Sequence, residues 1–270
     1  MKNDEDNSIN ALLDVVSKLR DPKFGCPWDL KQTLDSVAPF SIEEAYEVVE
    51  AVQENDAHKI KEELGDLLFQ IVLLSQIAKE SKLFNFFDVV KVSKDKMIKR
   101  HPHVFNKITS SEDKIPLYWE KNKLKEHQKR SPDRLKSTYV AQITEKLPAL
   151  IRAEKIQKRA KAFGFDWKNL SDVFKKVDEE RQEVENAIKL QNQKLIKEEI
   201  GDFLFTIVNL SRHLNVNSEE ALRNANNKFI KRFQRLDKLI LDNGLDILNI
   251  SLTELDNYWI EVKSKEKNFD

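Results

Sequence analysis

Two acidic clusters, Glu43-Glu44-x-x-Glu47 and Glu62-Glu63-x-x-Asp66, are the residues of this chain whose types and spacing could do chemistry. Residues three apart on a helix share a face, which pairs Glu44 with Glu47 and Glu63 with Asp66. Apolar residues recur at helical spacing on both sides of a polar break at 53–56, so 41–78 reads as a helical hairpin. Closing the hairpin about Asn55 sets Glu47 opposite Glu63 and Glu44 opposite Asp66, in two layers about 4.5 Å apart at 1.5 Å per residue. Carboxylates about 5 Å apart repel by roughly 3 kcal/mol per pair at an effective dielectric of 20, so a cation must sit among them. An all-oxygen donor set suits Mg²⁺ or Mn²⁺, whereas zinc calls for Cys or His.

A plainer reading makes Ser41 an N-cap and Glu44 its capping-box partner, with the remaining acids on a solvated face. An internal repeat weighs against it. At an offset of 136 residues, Glu179-Glu180-x-x-Glu183 falls on Glu43-Glu44-x-x-Glu47, and Glu199-x-Gly201-Asp202 falls on Glu63-x-Gly65-Asp66. The second turn, 191–194, shares almost nothing with the first in sequence. A duplication that keeps the acids and discards the loop between them implies that the acids have a role of their own.

The elements that position these groups follow from composition. Charged residues make up 34% of the 270 and only five glycines occur, which favours long helices joined by short polar turns and an all-α fold. Residues 8–20, 83–99, 147–163 and 219–243 read as further helices, and 215–218 as a turn and cap. The polar stretch 125–138, with Ser131-Pro132, reads as a connector, giving domains at 1–127 and 139–270 and a linker at 128–138. Trp28, in the loop at 24–29, reads as a buried anchor in preference to a base-stacking surface.

Cationic and aromatic residues also recur. Lys96 and Arg100 lie four apart in KMIKR, as Lys228 and Arg232 do in KFIKR, and two cations on one helix face suit a polyphosphate. Trp119-x-x-x-Lys123 is matched by Trp259-x-x-x-Lys263, where one side chain can stack on a base while the other meets phosphate, or equally a core Trp can carry a Lys that reaches out to water. His101-Pro102-His103 has no counterpart in the second half and gives no defined ligand geometry.

Lys plus Arg equal Asp plus Glu at 46 each, so no net positive field is available to hold nucleic acid or a membrane surface. Cys26 is the only cysteine, which excludes an intrachain disulfide and fits a reducing cytoplasm. The apolar runs are too short to span a bilayer. The absence of GxxxxGK[ST] disfavours kinases and P-loop ATPases.

The spacing EExxE, fifteen residues, then ExxD resembles the signature of the MazG-type nucleoside triphosphate pyrophosphohydrolases. GCPWD at 25–29, SIEEAYEV at 41–48, EELGDLLFQIV at 62–72, RHPHVF at 100–105, LPALIRAEKIQKRA at 147–160 and GFDW at 164–167 extend the resemblance over nearly the whole chain, in the two-repeat form. It implies a tandem repeat of two MazG-like helical-bundle domains that dimerises and hydrolyses nucleoside triphosphates, with Mg²⁺, to the monophosphate and diphosphate. Broad base tolerance and a role in nucleotide-pool sanitation or control of stress nucleotides go with it. The implied metal ligands are Glu44, Glu47, Glu63 and Asp66, and Glu180, Glu183, Glu199 and Asp202, with the second set, joined by Glu179, as the catalytic copy. The implied substrate contacts are Lys228, Arg232, Trp259 and Lys263, with Lys96, Arg100, Trp119 and Lys123 as first-repeat counterparts.

Two other readings stay open. A helical regulator would bind nucleotide and metal through the same acids without turnover. A di-iron bundle would need Glu-x-x-His where both second motifs end in Asp.

Overall fold

The computed structural model describes residues 2–105, 115–130 and 138–266, which form helices and turns with no strand among them. The chain divides into two compact units, Met1–Ser110 and Ser111–Asp270. This division falls earlier than the linker read from the sequence. Helix α6 (Ile115–Arg130) runs on into that linker, and it is tied to the second unit by Tyr139 Oη, which donates to Glu120 at 2.8 Å. Residues 131–137 of the expected linker lie outside the described residues.

The first unit contains α1 (Lys2–Leu19), α2 (Leu34–Glu54), α3 (Ala57–Glu80), α4 (Phe86–Arg100) and the single turn α5 (Pro102–Phe105). Helix α2 starts well before Ser41. Thr33 is its N-cap, in a reciprocal box with Ser36, and Pro39 is carried inside the helix at the loss of one backbone bond. Ser41 is therefore a mid-helix residue, and the capping explanation for Glu44 is corrected. Val16, Val37, Val72, Leu73 and Ile77 form the core that fastens α1 and α2 to α3. Buried Arg20 closes the loop after α1, donating to Glu80 and to the carbonyls of Asp29 and Gln32. Its guanidinium holds the Glu80 carboxyl below the usual glutamate value. Trp28 is 56% exposed with its ring centroid 6.4 Å from Phe40, so it is not the buried anchor expected of it.

The second unit contains α6, the short α7 (Thr138–Ala141), α8 (Ala149–Lys161), α9 (Leu170–Lys189), α10 (Gln193–His213), α11 (Ser218–Asp242) and α12 (Leu252–Glu266). Leu236, Ile240 and Val262 join α11 to α12. Gly164, at φ +85°, turns the chain out of α8, and Asp166 just beyond it is gripped by Arg212 and His213 from α10. Burial alone would raise the Asp166 carboxyl, but Arg212 and His213 outweigh burial and hold it below the usual aspartate value.

The two hairpin turns differ in sequence and agree in backbone. Asn55 (φ 56°) and Gln191 (φ 52°) both stand in the left-handed region, at the repeat offset of 136. Asp56 and Asn192 follow as N-caps, accepting from the amides of His58 and Lys59 and of Lys194 and Leu195. Asn tolerates that conformation, whereas Gln is strained by its Cβ. Gln191→Gly is therefore expected to raise stability by about 0.5–1 kcal/mol, the relieved strain outweighing the added chain entropy. An unchanged midpoint in urea unfolding would contradict this.

Candidate active site

Each hairpin brings three of its acids together, with Glu180 alone among them buried. In the first, carboxylate oxygens of Glu44, Glu63 and Asp66 all lie within 4.8 Å of one another, and in the second those of Glu180, Glu199 and Asp202 do the same. The helices that carry them, α2 with α3 and α9 with α10, are the most extensively packed pairs in their units. That packing fixes the acids' separation.

Glu47 and Glu183 stand outside these triads and act on them through charge. Glu47 is exposed, and its carboxyl is raised by desolvation and by the charges of Glu63, Glu44 and Glu43. Glu199 is raised by desolvation and then by Glu183, Asp202 and Glu180. In both, desolvation is the larger cause and like charge adds to it, and a cation would relieve the second part.

A divalent metal fits this donor set. Every donor is a carboxylate oxygen, as Mg²⁺ or Mn²⁺ requires. Glu180 is 5% exposed, yet its Oε2 is buried without a hydrogen-bond partner, an acceptor left for something outside the protein chain.

The two sites differ in what holds their first acid. Gln70 Nε2 donates to Glu44 at 3.2 Å, whereas Lys176 Nζ lies 2.8 Å from both Glu179 and Glu180. The first-repeat match of Lys176 is Phe40, and the second-repeat match of Gln70 is Thr206. Sequence reasoning missed Lys176 and Gln70 because it sought what the repeats share. The i,i+4 spacing of Lys176 and Glu180 was a readable signal.

The remaining residues fall as follows. Lys96 and Arg100 occupy the end of α4, in the same unit as the first triad. Trp119 and Lys123 belong to the second unit, where Lys123 pairs with Glu120. Lys228 and Arg232 lie on α11, and Trp259 and Lys263 on α12. The Trp259 ring sits 5.3 Å from that of Phe229, which stacks on Phe233 at 6.1 Å, so an aromatic cluster adjoins Lys228 and Arg232 in sequence. His101 and His103 have rings 5.6 Å apart but join neither of the two acidic triads.

The sequence model of the MazG nucleotide pyrophosphohydrolase domain matches this chain twice, at 32–105 and 169–236, and each match spans one acid hairpin. The chain belongs to the MazG family. The nucleoside triphosphate pyrophosphohydrolase of Escherichia coli (strain K12) is 40% identical over 263 residues, covering 96% of this chain and 98% of that protein. The nucleoside triphosphate pyrophosphohydrolase/pyrophosphatase MazG of Thermotoga maritima is 41% identical over 259 residues, covering 96% and 97%. A solved mazG-related protein from Thermotoga maritima aligns with 42% of this chain and 97% of its own, at 26% identity and a TM-score of 0.37, too low to bear on the fold. The all-α tandem repeat expected from the sequence is thus found both in the helices and in the doubled MazG match.

Proposed function

We propose that this chain hydrolyses nucleoside triphosphates to the monophosphate and diphosphate with the help of Mg²⁺. The observation that carries the reading is the paired carboxylate triad, built twice by the same hairpin in a chain similar from end to end to nucleoside triphosphate pyrophosphohydrolases.

Glu44, Glu63 and Asp66 would hold the metal in the first unit and Glu180, Glu199 and Asp202 in the second, with Glu47 and Glu183 alongside. Mg²⁺ bound there would neutralise triphosphate charge and make a water more acidic. Glu43 and Glu179, or a carboxylate oxygen free of the metal, orient the attacking water. Lys228 and Arg232 on α11, with Lys263 on α12, offset charge that grows as diphosphate leaves. Trp259 supplies an aromatic face to the nucleoside.

A dimer is part of the same proposal. Ile42, Tyr46 and Val49 form an apolar stripe on the outer face of α2, 57%, 37% and 38% exposed, a face suited to a second copy. At the matching positions α9 carries Asp178, Gln182 and Glu185, so the first unit is the better supported point of association. No helix among the described residues is long and apolar enough to cross a membrane. With the single cysteine, this supports a cytoplasmic location, and the balanced charge supports no nucleic-acid partner.

Product analysis tests the reaction. Incubation with each nucleoside triphosphate and Mg²⁺ is expected to yield the monophosphate and diphosphate in equal amounts, and EDTA to abolish both. Metal-dependent binding without product would turn the reading to a nucleotide-binding regulator.

A further inference from the structure

The loop ahead of α2 is rigidly built, yet it holds an indole open to solvent. Gly25 sets its path, because a Cβ there would stand 2.5 Å from the carbonyl oxygens of both Leu19 and Asp21. The amides of Gly25 and Cys26 donate to the Asp21 and Leu19 carbonyls at 2.8 Å each, and buried Arg20 donates to the carbonyls of Asp29 and Gln32. Trp28 lies between these fixed points, and its own carbonyl accepts from Gln32 Nε2 at 3.1 Å. Its ring is 56% exposed, with the Phe40 ring 6.4 Å away and tilted by 52°. A tilted neighbour steadies the indole without stacking on it, and an aromatic already fixed in place loses little freedom when a ligand covers it.

Phe40 ties this ring to the acids. It precedes Glu44 by four residues, so the two share a face of α2, about 6 Å apart along its axis. Side chains of a helix lean toward its N-terminus, which brings the Glu44 carboxylate toward Phe40. Glu44 belongs to the first triad, and Gln70, 9% exposed, donates to it at 3.2 Å. The Oε1 of Gln70 is buried without a partner among the described residues, an acceptor left over beside the triad. The second unit is equipped differently. Lys176 takes the place of Phe40 and lies 2.8 Å from Glu180. Where one repeat sets a cation beside its triad, the other sets a pair of aromatic rings.

We propose that Trp28, seated on Phe40, is the nucleobase platform of a nucleotide site in the first unit, whose phosphates lie toward Glu44, Glu63 and Asp66 and their Mg²⁺. The base stacks on the open indole, and the path from Trp28 past Phe40 to Glu44 runs from base to phosphate. Stacking reads no base edge, so all four bases are accepted, with purines gaining most from their larger rings. The platform gives the first unit the aromatic contact that Trp119, placed in the other unit, does not supply. The inference rests on the nucleotide reading above and assigns the first unit a binding role that does not depend on its turning substrate over.

Tryptophan fluorescence reads this site without relying on turnover. The full chain in Mg²⁺ is titrated with α,β-methylene-ATP, which resists cleavage between the α and β phosphates, and the signal of Trp28→Phe is subtracted to leave the share of Trp28. That share is expected to be quenched saturably by the analogue and left unchanged by inorganic triphosphate, which carries no base. Asp66→Asn is expected to shift the quench midpoint by at least about tenfold, and Asp202→Asn to leave it in place. In the Asp202→Asn background, Trp28→Leu is expected to weaken calorimetric binding of the analogue by about tenfold and that of inorganic triphosphate not at all. An absent quench, an equal quench with inorganic triphosphate, or a quench that follows Asp202 instead of Asp66 would overturn the platform. Equal weakening of both ligands by Trp28→Leu would reduce the ring to loop packing and overturn it as well. A Trp28 quench in a protein that forms no product from ATP would uphold the platform and sink the hydrolase reading, and product formed without the quench would do the reverse.

Discussion

Asp202→Asn is expected to lower kcat/KM for nucleoside triphosphate on the order of a hundredfold or more, the scale of damage when a metal-ligand set is broken. The substitution keeps the side chain's shape and removes one negative charge from the Glu180, Glu199 and Asp202 triad. Asp202 is exposed, so the hairpin should fold as before and the loss should sit in turnover, not in the melting temperature. Asp66→Asn makes the same change in the first unit and is expected to cost much less. The second triad shares its unit with Lys228, Arg232, Trp259 and Lys263, whereas Trp119 and Lys123 fall outside the unit of the first triad. Lys123 is moreover occupied by Glu120. Steady-state assays of both variants, with circular dichroism to confirm folding, decide the matter. Equal losses would mean that both hairpins turn over substrate, and a loss confined to Asp66→Asn would reverse the assignment.

The hairpin architecture was legible because it is written in periodicity. Helical spacing on both sides of a polar break located the Asn55 turn, and the repeat offset located Gln191 at the corresponding point. The turn sequences concealed their identity because two residue types reach the same left-handed conformation, Asn readily and Gln under strain. The start of α2 was not legible. Ser41 reads as an N-cap, yet Thr33 and Ser36 cap the helix ahead of it, and packing of Val37 outweighs the bond that Pro39 forfeits.

At the site, residue types gave the carboxylates and their facing arrangement, since both follow from spacing. What spacing could not give was the environment of each carboxylate: which is buried and which is crowded. Glu44 and Glu180 are identical in the repeat pattern, yet one accepts from Gln70 and the other from Lys176. Buried Asn209 escaped for a related reason, because a repeat comparison that looks for shared residues passes over a position where the first unit has Leu73.

The Lys176 contact leads to the second large effect, on stability. Glu180 is 5% exposed and its charge is balanced by Lys176, whose own ammonium is held above the usual lysine value by Glu179 and Glu180. Lys176→Met keeps most of the side-chain volume and leaves a buried carboxylate uncompensated. Breaking such a pair costs about 3–5 kcal/mol when both partners are buried, and since Lys176 is partly open to water about 2 kcal/mol is expected. The loss should appear in EDTA and shrink in Mg²⁺, because a divalent cation on Glu180 supplies the balancing charge. The wild type gains from Mg²⁺ as well, so the drop shrinks only by the extra affinity the variant acquires when Lys176 no longer competes for Glu180, about 1.4 kcal/mol for each tenfold. Thermal melts of wild type and Lys176→Met, each with EDTA and with Mg²⁺, make the comparison, and Phe40→Met serves as the control with no charge to lose. An equal drop with and without Mg²⁺ would make Lys176 a packing residue whose charge is incidental. A drop confined to EDTA would identify Glu180 as the carboxylate that lysine and metal both neutralise.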